Sequence, residues 1–377
     1  MDNKLKITEY FENVETRYEH NGYYYSVGRA LTIVILGSVC GLCNASQIHQ
    51  WASHEKIKSF LYEYFDIMSI PCYSWLLALL RIINPASLNQ CFIKWAQALI
   101  PKSLENMTLS FDGKTVCSTE KMDSYEEALH IVSAHIAELG LTIGQKSVDG
   151  KSNEIPAVRE LIEMLDVRGC VVVADALNCQ KKTAKAIIEG GGNYLLNVKG
   201  NQKTLKKDVE DYVQDTDLRQ SMDSAETLEK NKGRIEHRTA YVTNDIEWVF
   251  NKEEWEALAC IGAINRQVTS KEGKSNEWNY YISSCSLRAD ELLKYARNEW
   301  SVESMHWLLD IHFDEDSCRI EDVNVQKNLN IVRKIALNSI KEYKNKTNSK
   351  RPISKIMLGC LIDCESLLEI LGLDILT

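Results

Sequence analysis

Proline is scarce, with five in 377 residues, and no tract is low in complexity, so a linker-rich or disordered chain is excluded. A surplus of positive charge is also missing. The net charge of −9 argues against a general nucleic-acid coat, although charge can be local. No long apolar run is present. The longest, Ala30 to Cys43, is too short to cross a bilayer and reads as a buried helix. The start, Met1 to Lys6, is polar and no signal peptide follows, so a cytoplasmic chain without a membrane partner is expected. The twelve cysteines lack the regular spacing of a disulfide framework. Cys40-Gly41-Leu42-Cys43 has no matching second pair, so free buried thiols are the better account than zinc.

What is present is a 45% apolar fraction, enough for a substantial core. Residues 1–100 carry helical spacing over Ile7–Tyr18, Val27–Cys43, Ile48–Tyr64 and Tyr73–Leu99, with Pro71, Pro85 and Pro101 as breaks, and read as a helical N-terminal domain. From Met107 the period changes. Strands are expected at Met107–Phe111, Leu129–Ile136 and Leu141–Ser147, then a helix at Glu154–Leu165. A strand Cys170–Ala174, a helix Lys181–Glu189, a strand Tyr194–Lys199 and a helix Gln202–Val213 follow. Three meander strands followed by alternating helices and strands predict an α/β fold, a ribonuclease H-like mixed sheet flanked by helices. Residues 214–233 read as a surface loop. Strands at Arg234–Val242, Ala259–Asn265 and Trp278–Ser284 make residues 214–288 a β-rich insertion in a domain spanning 101–377. Helices return over 289–377, at Asp290–Asp310, Asn324–Tyr343 and Ile353–Leu371.

The centre of this pattern is Val171-Val172-Val173-Ala174-Asp175. An all-apolar run fits a strand buried on both faces, and it ends on a carboxylate. Asp112 ends the first strand in the same way. In this topology the two strands are neighbours, so both carboxylates reach one edge, where they repel unless a cation lies between them. Oxygen donors without a nearby His/Cys cluster favour Mg²⁺ or Mn²⁺, two ions being expected. Glu303 is the best third carboxylate, with Asp310, Asp314, Glu315 and Asp316 as rivals. Two ions about 3.5–4 Å apart activate a water or 3′-hydroxyl and stabilise the leaving oxygen of a phosphodiester. Two segments are locally basic. Residues 181–207 hold seven lysines and one acid, and 333–355 hold eight Lys/Arg and one acid. They are either phosphate-contacting patches or solvated helix faces.

Six segments carry a resemblance. They are Phe111-Asp112-Gly113-Lys114-Thr115, Lys151-Ser152-Asn153-Glu154-Ile155, Ala174 to Gln180, Tyr194 to Gln202, Gly233 to Arg238, and Val302-Glu303 with His306-Trp307-Leu308-Leu309-Asp310. In this order they resemble the DDE-type insertion-sequence transposases of the H-repeat-associated family, over nearly the whole chain. The resemblance implies that Asp112, Asp175 and Glu303 are the metal-binding triad, and that a β-rich insert separates the second aspartate from the glutamate. It implies a cut-and-join enzyme acting on double-stranded DNA, at element ends and target, as a homodimer. Lys114, Lys199, Asn201, Gln202, Arg234, Arg238, Trp300 and His306 are the expected DNA contacts. Most have a plainer reading: a cap at Asn201 with a solvated Lys199, ion pairs from the arginines to Glu236 or Glu247, and core packing for His306 and at least for Trp307. The chain departs from the family pattern at Cys117, Lys232, Glu299 and Ser304. A non-catalytic DNA-binding copy and a nuclease without strand transfer therefore stand as alternatives.

Overall fold

The computed structural model describes residues 7–18, 25–116, 129–148, 153–231, 233–271 and 273–373. Helices α1 (Ile7–Phe11), α2 (Val27–Val39), α3 (Ala45–Ala52), α4 (Glu55–Phe65), α5 (Tyr73–Ile82) and α6 (Pro85–Leu99) come first. A mixed sheet follows, with strands β1 (Thr108–Thr115), β2 (His130–Ile136), β3 (Leu141–Val148), β4 (Val171–Ala174) and β5 (Asn193–Val198). Helices α7 (Glu154–Met164) and α8 (Lys181–Glu189) connect the later strands, and α9 (Lys203–Gln214) and α10 (Thr216–Ser221) come after them. Strands β6 (Asp223–Asn231), β7 (Arg234–Thr243), β8 (Cys260–Ser270) and β9 (Gly273–Ser283) are next. The chain closes with α11 (Ala289–Asn298), α12 (Ser301–Phe313), α13 (Val323–Thr347), α14 (Ile353–Ile362) and α15 (Cys364–Leu371).

The sheet has nine strands in the order β3-β2-β1-β4-β5-β9-β8-β7-β6. Strands β1, β2 and β3 form an antiparallel meander, while β1, β4 and β5 run parallel. That is the ribonuclease H-like arrangement. The segment between β5 and α11 does not leave the core. Strand β9 pairs antiparallel with β5, so the insertion widens the same sheet. Strand β4 is buried on both faces. Val172 and Ala174 join the main core with α7 and α8, and Val171 and Val173 join a second cluster under α11. Helix α11 lies close on β8 because Gly262 has no side chain; a Cβ there would stand 2.6 Å from Leu292.

Several expected boundaries are corrected. Strand β1 continues past Phe111 through Asp112 to Thr115, because β2 pairs with it that far. Residues 214–233 are not all loop: α10 and the edge strand β6 form there. A polar edge strand gives no alternating signal and is held by its pairing with β7. The expected helix Asp290–Asp310 breaks in two. Ser110 Oγ donates to the Asn298 carbonyl (3.1 Å), and Asn298 Nδ2 donates to Thr108 Oγ1 (2.8 Å), pinning the end of α11 to β1. The Tyr73–Leu99 stretch divides at Pro85 as expected, with Asn84 capping α6 and Pro85 in its first turn, whereas the Ile48–Tyr64 stretch also divides, into α3 and α4. Asp363 caps α15 and separates it from α14.

The N-terminal helices share the main core with α13. Helices α2 and α6 pack against α13, and α6 packs on β3. The basic segment 333–355 is partly internal: Arg333 and Lys334 are buried. Lys334 Nζ bonds Ser133 Oγ (2.8 Å) and Gln145 Oε1 (2.6 Å). Burial pulls its pKa down from 10.5 to about 7. The folded chain thus binds fewer protons than the unfolded chain between those values, so this lysine makes stability rise with pH across pH 7–10.5. Lys334→Met is expected to flatten that rise and to raise the melting temperature at pH 7. Thermal melts across pH 6–10 check it.

Candidate active site

Pairing of Phe111 with Ala174 puts Asp112 and Asp175 one residue beyond the last matched pair of two parallel strands. Asp175 then leaves the sheet, and its carboxylate accepts from the Asn178 backbone N–H (3.2 Å) and from Asn178 Nδ2 (3.0 Å). It thus caps the short turn Ala176–Asn178 and stays exposed toward a cleft. Glu303 is exposed in the first turn of α12, whose Val302, Met305, Leu309 and Phe313 are buried. One turn on, buried His306 turns toward β1, with Nδ1 3.4 Å from Asp112 Oδ2.

The carboxylates act on one another. Burial lifts the Asp112 pKa from 3.8 to about 6, with further lifts from Glu154, Glu303 and Asp175 against a lowering from the Gly113 N–H. A fourth acid joins them. Glu299, one helical turn before Glu303, is raised from 4.5 to about 7, first by burial and then by Asp175, Glu303 and Asp112, against Lys199. His306 is held well below its ordinary value by burial and by lysines 334 and 114, so it sits neutral. Its Nε2 is buried without a partner. Four carboxylates pressing on each other, all hard oxygen donors, fit a divalent cation. They are more loosely spaced than Asp310, Glu315 and Asp316, whose ligand atoms lie within 4.8 Å of one another. That tighter trio is filled from within the chain. Lys114 Nζ stands 2.6 Å from Asp310, 3.0 Å from Glu315 and 3.2 Å from Asp316.

The structure disperses the expected DNA contacts. Lys114 points into that acidic trio, mostly shielded from solvent. Asn201 Nδ2 and Gln202 Nε2 donate to the carbonyls of Ala176 (2.6 Å) and Cys179 (2.9 Å), so they tie down the turn that carries Asp175. The side chain of Asn201 caps no helix; Gln202 occupies the cap position of α9. Lys199, Arg234, Arg238 and Trp300 line a cleft of about 1080 Å³ together with Asp175, Glu299 and Glu303. Arg238 contacts Glu236 (2.5 Å) and Glu229 (3.8 Å), Arg297 contacts Glu229 (2.9 Å), and Arg266 pairs with Glu236. Glu247 pairs with Lys252 instead. Trp300 and Trp307 are 63% and 60% exposed, so the expectation that Trp307 packs in the core is corrected: it lies opposite the buried stripe of α12.

Sequence reasoning missed Glu299, Glu154, Asn178, Arg266 and Arg297 as site residues. Glu299 was legible from its i, i+4 spacing to Glu303. Glu154 and Asn178 lay inside motifs already noted. Arg266 and Arg297 reach the cleft through sheet pairing and helix packing that no local pattern encodes. Of the departures, Glu299 and Ser304 line the cleft, while Cys117 and Lys232 lie outside the described residues.

A ribonuclease H-like sheet that delivers two aspartates to one edge, faced by a helical glutamate, defines a class of acidic-site α/β proteins. Comparison narrows this. Residues 108–339 match the family model described as a transposase DDE domain, and residues 8–96 match the model described as DDE_Tnp_1-associated. The chain belongs to the DDE-domain transposases, within the H-repeat-associated group. It is 32% identical over 329 residues to the Escherichia coli K12 protein named "H repeat-associated putative transposase YhhI", covering 83% of this chain and 85% of that one. It is 35% identical over 290 residues to YbfL of the same strain, covering 74% of this chain and 76% of YbfL. A piggyBac transposase synaptic complex with hairpin DNA overlays with a TM-score of 0.49 at 10% identity, over 97% of this chain and 80% of that one. No helix among the described residues is long and apolar enough to cross a membrane.

The crowding gives a signed expectation. Asp112 and Glu299 bind protons in the fold that the unfolded chain has already lost, between pH 3.8 and 6 and between pH 4.5 and 7 respectively. Their charge therefore costs stability above those windows. Without divalent metal, Asp112→Asn or Glu299→Gln should raise the melting temperature at pH 8 by about 2–4 °C and leave it unchanged near pH 4. Paired thermal melts at the two pH values check it.

Proposed function

We propose that this chain is the transposase of a bacterial insertion sequence, which binds the element's double-stranded DNA ends, cleaves them and joins the freed 3′-hydroxyl to target DNA. In this reading residues 1–100 are an accompanying helical domain and 101–377 the catalytic one. What supports the reading is that Asp175 and Glu303 line a cleft together with Lys199, Arg234, Arg238, Arg266 and Arg297, and that Asp112 lies near enough to both acids for their charges to raise its pKa.

Asp112, Asp175 and Glu303 would hold Mg²⁺ or Mn²⁺, two ions being expected. When bound, the ions supply activation of the attacking oxygen and neutralisation of charge on the leaving oxygen. The rest falls to the chain. Arginines on β7 and β8 exchange their glutamate partners for DNA phosphates, a charge-assisted contact that holds the strand in register. Exposed Trp300, at the cleft edge, offers a face for stacking an unpaired base. Neutral His306 keeps its Nδ1 against Asp112 and limits how that carboxylate turns. Two chains acting together would process two ends.

The test is cleavage of DNA carrying the element's ends in Mg²⁺. Asp175→Ala and Glu303→Gln should each lower the rate by about 10³-fold or more. Wild-type cleavage by Asp175→Ala would refute the assignment. Arg238→Ala should instead weaken DNA binding and make its salt dependence shallower by about one phosphate contact, read by titration at several salt concentrations.

A further inference from the structure

Behind the two aspartates runs a polar chain, buried at its centre, that the proposed chemistry does not use. Thr115 Oγ1 meets His130 Nδ1 (3.0 Å), and His130 Nε2 meets Glu154 Oε2 (3.2 Å). Asn178 Nδ2 bridges the other Glu154 oxygen (3.4 Å) and Asp175 Oδ1 (3.0 Å). His130, Glu154 and Asn178 are 2%, 4% and 0% exposed. The chain links β1, β2, the first residue of α7 and the turn after β4.

Three observations say that it serves the site and does more than fill space. A buried carboxylate is costly, and apolar side chains would fill this volume without that cost. Instead Glu154 stands where its charge adds to the load on Asp112. Asn178 leaves its own Oδ1 buried without a partner, so its amide is oriented by the two carboxylates it bridges and not by its own needs. Gly113, next to Asp112, clears the way. A Cβ there would stand 2.4 Å from His130 Nε2 and 2.7 Å from Glu154 Oε2.

We propose that Glu154 and Asn178 are positioning residues for the cation site: Asn178 fixes the Asp175 carboxylate, and Glu154 fixes Asn178 while supplying negative charge behind Asp112. This rests on the reading that Asp112 and Asp175 hold the cation. It gives a purpose to a glutamate that the strand-end carboxylates alone do not require. Outer partners of this kind tune how tightly the inner ones grip.

The experiment is Mn²⁺ binding to the full chain without DNA, by calorimetry below the melting temperature, alongside the metal-free melting temperature at pH 8. Glu154→Gln keeps the shape and removes the charge. It should weaken Mn²⁺ about 10–100-fold while the metal-free melting temperature holds or rises. Asn178→Ala should weaken Mn²⁺ in the same range. Should Asn178→Ala fail to fold, the near-isosteric Glu154→Gln still decides. Wild-type Mn²⁺ affinity in Glu154→Gln, with a lowered melting temperature, would mean a packing role only and overturn the proposal. Asp175→Ala separates the two readings: if it too binds Mn²⁺ like wild type, the cation-site assignment has failed and not the role of Glu154.

Discussion

Repulsion among carboxylates where the parallel pairing of β1 and β4 ends is the constraint on which the site turns. Asp112 and Asp175 emerge together because Phe111 and Ala174 are paired. Neither is fully compensated by a cation from within the chain, whereas the nearby acidic trio receives Lys114. Two acidic groups in one fold thus differ in whether a lysine stands among them. Asp310, Glu315 and Asp316 share one lysine, which ties α12 and the turn after it to β1. Asp112 and Glu299 are raised by burial and by the charges of Asp175 and Glu303, with no lysine of the described residues standing among the four as Lys114 does in the trio.

The surrounding fold holds that tension in place. Burial of β4 on both faces fixes where Asp175 leaves the sheet, and Asn201 and Gln202 clamp the following turn through its carbonyls. The pinning of Asn298 to β1 breaks what would otherwise be one helix, and the break directs Glu303 into the cleft while His306 turns inward. The widened sheet then lays arginines beside the acids. Those arginines meet glutamates across β6, β7 and β9, so the cleft is close to charge-balanced. That balance is compatible with a chain of net charge −9.

Much of this was legible beforehand. The triple valine announced a doubly buried strand, and the order of strands and helices announced the core sheet, because both follow from local periodicity. The reach of β1 beyond Asp112 was not legible, since Gly113-Lys114-Thr115 lack apolar alternation and are held only by β2. Strand β6 hid for the same reason. The destinations of Lys114, Asn201 and Gln202 were hidden too: polar side chains carry no sign of whether they face a ligand or a distant carbonyl. Arg333 and Lys334 looked like a basic surface and proved internal, because composition counts charges without saying which way a helix turns.

Asp112 and Asp175, and not the tighter trio, are proposed to take the divalent ion. Crystals of the full chain grown with Mn²⁺ and measured at the manganese absorption edge test it directly. Anomalous density is expected between Asp112 and Asp175, within reach of Glu303. Density confined to Asp310, Glu315 and Asp316, with Lys114 displaced, would contradict it.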